Sequence, residues 1–236
     1  MASIVITGSS QRLGLFLVQH YIAQGDKVFA VTRKSSEQLL NINSDQLTII
    51  EIDQYSEQAA INAAEKIAQS ETSIELLVNN ASAFFKDTQQ SDEGALFTQS
   101  FNTHMLFPLC LTSQLSPLLK QKGNAGVVIN ITDIYSTQPK TEHALYCSSK
   151  AGMSNLSMGL AKRYAGLIRV NSIAPGPIKF LDSHSEQQKQ DIMAQAIIKQ
   201  EGGFESILKT IEFIRSNDYL TGITINVDGG RSINSW

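Results

Sequence analysis

The sequence predicts an α/β fold: a doubly wound parallel sheet of seven strands with helices on both faces. Three observations predict it. Short apolar runs alternate with helical patterns along the chain. A glycine-bearing turn joins the first strand to the first helix. No linker, internal repeat, low-complexity tract or change of composition divides residues 1–236, so one domain is expected. Alternating strands and helices of this kind build a parallel sheet covered on both sides.

The elements follow in order. Residues 3–6 form a short run rich in β-branched side chains, the first strand. Over 12–24 the apolar residues Leu13, Phe16, Leu17 and Tyr21 recur at helical spacing. Gly25 and Asp26 make a turn, and 27–31 and 47–52 read as strands two and three. Residues 56–69 are rich in Ala and Ile and helical, and 74–78 is strand four. A polar and aromatic stretch over 81–93 leads into a helix ending near Leu119, punctuated by Pro108 and Pro117. Strand five is expected at 126–131, a long helix at 144–164 and strand six at 168–173. A polar segment over 179–190, a helix at 204–215 and a last strand at 223–227 complete the chain.

Composition narrows the function. The chain is 42% hydrophobic and 17% charged, ordinary for a soluble globular protein. A formal net charge of −3 leaves no basic footprint for nucleic acid. No apolar run approaches the roughly 20 residues of a membrane span, and the N-terminus lacks the pattern of a signal peptide. Cys110 and Cys147 show neither disulfide nor metal spacing, so no metal and a reducing, cytoplasmic setting are expected.

The first strand runs into Thr7-Gly8-Ser9-Ser10-Gln11-Arg12-Leu13-Gly14 and then a helix. Glycines there let the backbone approach a pyrophosphate, and the helix N-terminus offers free N–H groups. Strand two ends in Thr32-Arg33-Lys34, without the carboxylate that would bind a ribose hydroxyl. Two cations suit a 2′-phosphate, which favours NADPH; the alternative is a solvated surface pair. Asp53 ends strand three, where it either accepts from an adenine amino group or caps a helix starting near Tyr55.

Tyr146 and Lys150 lie four apart at the start of the long helix, on one face. A neighbouring ammonium favours a phenolate and lowers the Tyr pKa from its reference near 10 toward the range useful for proton relay. Thr7-Gly8 to Gly14, Asn79-Asn80-Ala81, Tyr146/Lys150, Asn171-Ser172 with Pro175-Gly176, and Thr221-Gly222 with Asp228-Gly229-Gly230 occur in that order. With these five landmarks the chain resembles the short-chain dehydrogenases/reductases over nearly its whole length.

The departures narrow the resemblance. Arg12 stands where that family usually has Gly, Ser82 stands where Gly follows Asn-Asn-Ala, and Asp133 stands where a catalytic Ser precedes the Tyr. With Phe84, these changes resemble the pteridine reductases and bacterial dihydromonapterin reductases. The resemblance implies a Rossmann-type fold, NADPH, and a small pterin or folate substrate. It implies that Arg12 contacts the phosphates, that Asp133 and Tyr146 together protonate the pterin, and that Ser82 and Phe84 meet the pterin ring. Expected cofactor contacts are Gly8, Ser10, Arg12, Leu13 and Gly14; Thr32, Arg33 and Lys34; Asp53; Asn80 and Ala81; Thr132; Tyr146 and Lys150; and Pro175, Gly176 and Ile178. Pro175 to Ile178 should meet the nicotinamide carboxamide through backbone groups, and Asn79 should steady the loop over the cofactor.

The chemistry of the residues agrees with a pterin. An ionised Asp only accepts hydrogen bonds, so it suits ring N–H and amino groups and repels a developing alkoxide. The alternative is that Asp133 merely caps the segment after strand five. Counting from Pro108, His104 falls where the family has an Asn. It either holds a water leading to Lys150 or is a histidine satisfied by a backbone carbonyl. Phe84 and Phe85 are otherwise core aromatics, and Cys147 is packing. Residues 178–200 are expected to form a substrate lid. The resemblance also implies a homotetramer built on the long helices, with Ala151, Gly152, Ser154 and Gly159 allowing close approach. Two further functions stay open: a carbonyl reductase of the 3-oxoacyl type, and a nucleotide-sensing protein without turnover.

Overall fold

A computed structural model of the chain describes residues 1–87, 92–121 and 124–234; the rest of the predicted 81–93 stretch, residues 88–91, lies outside them. The order is β1 (Ser3–Thr7), α1 (Arg12–Ala23), β2 (Lys27–Thr32), α2 (Glu37–Leu40), β3 (Leu47–Glu51), α3 (Glu57–Ala68) and β4 (Leu76–Asn79). Then come α4 (Glu93–Phe101), α5 (Phe107–Leu119), β5 (Lys120–Gln121), β6 (Asn124–Ile131), α6 (Ala144–Arg163), β7 (Ile168–Pro175), α7 (Glu186–Ala194), α8 (Phe204–Ser216) and β8 (Thr224–Val227).

Seven strands pair in parallel in the order β3-β2-β1-β4-β6-β7-β8, and the two-residue β5 folds back antiparallel on β6. Both faces are buried. Val5, Phe29, Val31, Leu77, Val128 and Val170 point into a core shared with α3, α5 and α6. Their neighbours Ile4, Ile6, Val28, Ala30, Leu76 and Val78 point the opposite way, onto α1 and α8. Period-two alternation therefore distributes one apolar run between two cores. Truncating a buried Leu or Ile here to Ala costs about 2–5 kcal/mol.

The order reverses at β1, with β2 on one side and β4 on the other. Ligands of such sheets bind beyond the strands' carboxyl ends at this switch point. Helix α4 passes into α5 through a π-helical segment, Asn102–Leu106, where the Phe107 amide donates to the Asn102 carbonyl five residues back. Pro108 explains the slip, because it offers no N–H to the carbonyl four residues before it. Helix α7 was not legible in the polar segment 179–190. Its signal was there: Ser185 and Gln188 form a capping box.

Candidate active site

The glycine turn lies against β4. Gly8 has a φ of +68°, and a Cβ there would sit 2.7 Å from the Ala81 Cα. A Cβ on Gly14 would lie 2.1 Å from the Gly8 carbonyl oxygen, so both positions exclude side chains. The Asn80 side chain donates to the carbonyls of Thr7 and Gly8, each at 3.1 Å, and the Asn80 and Ala81 amides donate to the Thr7 hydroxyl. Asn80 thus steadies the turn. Asn79 does not, contrary to expectation: its amide donates at 2.8 Å to Asn130 inside the sheet, because alternate residues of β4 face opposite sides. The N-cap of α1, Gln11, provides no side-chain cap, leaving first-turn amides for an anion.

Arg12 adopts a left-handed φ of +50°, a conformation costing a non-glycine residue roughly 1–2 kcal/mol. Its guanidinium donates to the carbonyls of Lys179 at 2.6 Å and Phe180 at 3.4 Å, tying the turn to the expected lid. Arg12, Leu13, Pro175, Gly176, Ile178, Phe180 and Arg231 line a cavity of about 290 Å³. In the Pro175–Ile178 loop the backbone is largely engaged. Gly176 donates to Val227, Ile178 donates to Gly176, and the carbonyls of Pro177 and Ile178 accept from Gly202 and Gly203. The expected carboxamide contacts therefore have internal competitors.

At the end of β2, Thr32 is buried while Arg33 and Lys34 are exposed. Glu51 accepts from the Ser35 amide at 2.8 Å and holds the turn bearing the two cations. The Arg33 guanidinium lies 5.4 Å from the centre of the Tyr55 ring. Arg33, Gln54, Tyr55, Asn102 and Thr103 line a second cavity of about 540 Å³. Asp53 is not a helix cap: it accepts from the adjacent Gln54 amide, whereas α3 starts at Glu57 and is capped by Ser56.

Tyr146 stands in the first turn of α6, with Lys150 one turn on and its ammonium 5.7 Å from the Tyr146 ring centre. The Tyr146 hydroxyl donates at 2.8 Å to Asp133 Oδ2, and Asp133 Oδ1 accepts from the Tyr135 amide at 2.9 Å. Asp133 thus caps the turn after β6 and holds the Tyr146 hydroxyl at once. Lys150 donates to the Ile131 carbonyl at 2.8 Å. Burial depresses it to about 8, opposed by the Asp133 charge.

The expected lowering of the Tyr146 pKa is corrected. Burial first, and then the Asp133 carboxylate, hold it well above its ordinary value; the Ser82 hydroxyl pulls the other way. Burial and the carboxylate both favour the phenol over the phenolate. Burial also raises Asp133, against the Tyr135 amide, the Tyr146 hydroxyl and the charges of Lys150 and Arg231. Thr132, just before it, is buried and donates to the Ile173 carbonyl at 3.0 Å.

His104 is buried in the π segment, and both of its ring nitrogens have protein partners. Nε2 lies 3.0 Å from both the Ser82 hydroxyl and the Ala83 amide, and Nδ1 lies 2.7 Å from the Ser149 hydroxyl. Its partners do not include the expected backbone carbonyl. Phe84 is 57% exposed, so it is no core residue. Its ring stacks on His143, centroids 4.3 Å apart, and meets Tyr146 edge-on at 4.8 Å. Sequence reasoning missed His143, which is buried with Nδ1 2.6 Å from the Phe85 carbonyl. It also missed Ser149 and Arg231; their only sequence signals were closeness to Tyr146 and to the Gly-Gly turn.

The family described as short chain dehydrogenase matches residues 2–191. The chain belongs to that family. It is an oxidoreductase fold in the Rossmann-like form that the strand order shows. The short-chain dehydrogenases similar to it include the dihydromonapterin reductase of Enterobacter sp. (strain 638), 26% identical over 98% of this chain and 97% of that one. The Escherichia coli (strain K12) dihydromonapterin reductase is 25% identical over 98% and 96%. Among solved structures, FolM alternative dihydrofolate reductase 1 from Brucella canis, complexed with NADP, superimposes with a TM-score of 0.89 at 24% identity, covering 100% of this chain and 95% of that one.

Proposed function

We propose that the chain is an NADPH-dependent reductase that takes a dihydropterin, such as dihydromonapterin or dihydrofolate, to its tetrahydro form. The observation that carries this reading is the 2.8 Å bond from the Tyr146 hydroxyl to a carboxylate, Asp133, where a carbonyl reductase needs a second hydroxyl donor. The names of the similar dihydromonapterin reductases and of FolM support the same substrate class.

The cofactor fits the residues present. Gly8 and Gly14 leave room for backbone approach, the α1 amides and Arg12 suit the diphosphate, and Arg33 and Lys34 suit a 2′-phosphate beside the cavity at Tyr55. When bound there, NADPH would supply the hydride for the carbon of the pterin C=N bond. Phe84 offers its exposed face to the flat ring, with Ser82 beside it. Tyr146 gives its proton to the ring nitrogen. The Asp133 carboxylate, whose affinity for a proton is raised by burial, takes one up from solvent and passes it to Tyr146. Lys150 uses one of its three N–H groups on Ile131 and keeps two for ribose hydroxyls. Asp53 is assigned to the adenine, Thr132 and the Pro175–Ile178 loop to the nicotinamide side, and residues 178–200 to the lid.

No helix among the described residues is long and apolar enough to cross a membrane. We assign the enzyme to the cytoplasm as a homotetramer. Within that assembly Gly152 is already used inside the chain, since a Cβ there would meet the Met105 sulfur at 2.5 Å.

The test follows NADPH absorbance with dihydromonapterin, dihydrofolate, dihydrobiopterin and an acetoacetyl thioester in parallel. Turnover of a dihydropterin is expected. Turnover of the thioester alone overturns the reading, and tight NADPH binding without turnover of any points to a nucleotide sensor.

A further inference from the structure

A chain of hydrogen bonds with one possible polarity runs from the loop after β4 to the backbone of the catalytic tyrosine. The Ala83 amide can only donate, so His104 Nε2, 3.0 Å away, accepts and carries no proton. The neutral ring then carries its proton on Nδ1, which donates to the Ser149 hydroxyl oxygen at 2.7 Å. Ser149 in turn donates to the Tyr146 carbonyl at 2.7 Å. All three links are buried or half-buried, and His104 itself is only 2% exposed. The His104 and Tyr146 rings meet edge-on, 5.4 Å apart. The π segment places the imidazole between the loop and α6.

We infer that His104, as the neutral Nδ1–H tautomer, is a positioning residue that clamps the Ser82–Ala83 loop to the first turn of α6 and so holds Ser82 beside the Tyr146 hydroxyl. The ring touches no reacting atom in this role. It spans a donor on one side and an acceptor on the other, which a carboxamide can also do and an aliphatic side chain cannot. The inference rests on the proposed reductase chemistry only for its kinetic consequence; the tautomer and the clamp belong to the protein alone.

The first measurement is therefore made without substrate. In the full-length protein with ¹⁵N-labelled histidine, at pH 7, the His104 signals are identified by their loss in His104→Asn. A protonated Nδ1 and a bare Nε2 are expected. The opposite tautomer, or an imidazolium, overturns the clamp. The second measurement compares His104→Leu with His104→Asn in NADPH-dependent turnover. His104→Leu is expected to lower kcat at least tenfold while the Kd for NADPH moves less than threefold, and His104→Asn is expected to recover most of the loss. Wild-type kcat in His104→Leu overturns the positioning role. If His104→Leu does not fold, wild-type kcat/KM retained in Ser149→Ala, which cuts the same chain at its next link, overturns it. Absence of turnover in the wild type, with the Nδ1–H tautomer observed, would count against the reductase reading and leave the clamp standing.

Discussion

The hydroxyl of Tyr146 donates to Asp133 Oδ2 at 2.8 Å, so a phenol proton is held against a buried carboxylate. Burial raises both groups and the carboxylate raises the phenol further, while the phenol's hydrogen bond favours the ionised carboxylate. Replacing Asp133 by Asn keeps an oxygen to accept from the Tyr135 amide but cannot replace the proton on Tyr146. Asp133→Asn, like Asp133→Ser, is expected to reduce dihydropterin turnover about 100-fold or more, the size of a lost general acid–base contribution. NADPH affinity, read by fluorescence titration, should stay within a few-fold. An unchanged kcat would remove Asp133 from the proton path.

Lys150 is expected to set the alkaline limb of activity. Burial depresses its ammonium to about 8, so the cation is present below that pH and lost as pH rises through it. A kcat/KM profile should fall above about pH 8, and Lys150→Met should be slow throughout and show no such limb. Stability should respond in the opposite sense. Between about 8 and the unfolded value of about 10.4, the unfolded chain holds more protons on this residue, so its contribution raises stability with pH. A limb that survives in Lys150→Met assigns it to another group.

Arg33 and Lys34 stand exposed at the end of β2, beside the cavity at Tyr55. Arg33→Glu should weaken NADPH binding far more than NADH binding, because it both removes a cation and places a carboxylate against the 2′-phosphate. Equal losses for the two cofactors would leave Arg33 as a surface charge.

Phe84 presents an exposed ring face at the site and rests on His143. Phe84→Ala should raise KM for the dihydropterin at least tenfold. The cost in stability should be about 1 kcal/mol, because one stacked and one edge-on ring contact and little buried area are lost. Thermal unfolding and steady-state kinetics on one preparation decide it; a large fall in Tm with unchanged KM would make the residue structural.

Much of the fold was legible because each signal was local. Apolar runs marked all seven strands of the parallel sheet, glycines marked the turn, and Tyr146 and Lys150 share a face by spacing alone. Boundaries and weak elements were less so. Helix α3 starts at Glu57 rather than near Tyr55, and α7 hides in a polar segment whose capping box is its main sign. The π segment follows from Pro108, but only once the surrounding helix is known.

By itself, then, the sequence determined the α/β class, the glycine turn, the cation pair on β2 and the identity of the groups at the site. Tertiary structure alone decided their protonation and direction. Burial and a carboxylate thirteen residues away favour Tyr146 as the phenol. His104 faces Ser82 and Ser149 because the sheet order brings β4 and α6 together around it. Spacing along a chain reports which side chains share a face, while pKa values and hydrogen-bond partners depend on desolvation and on atoms distant in sequence.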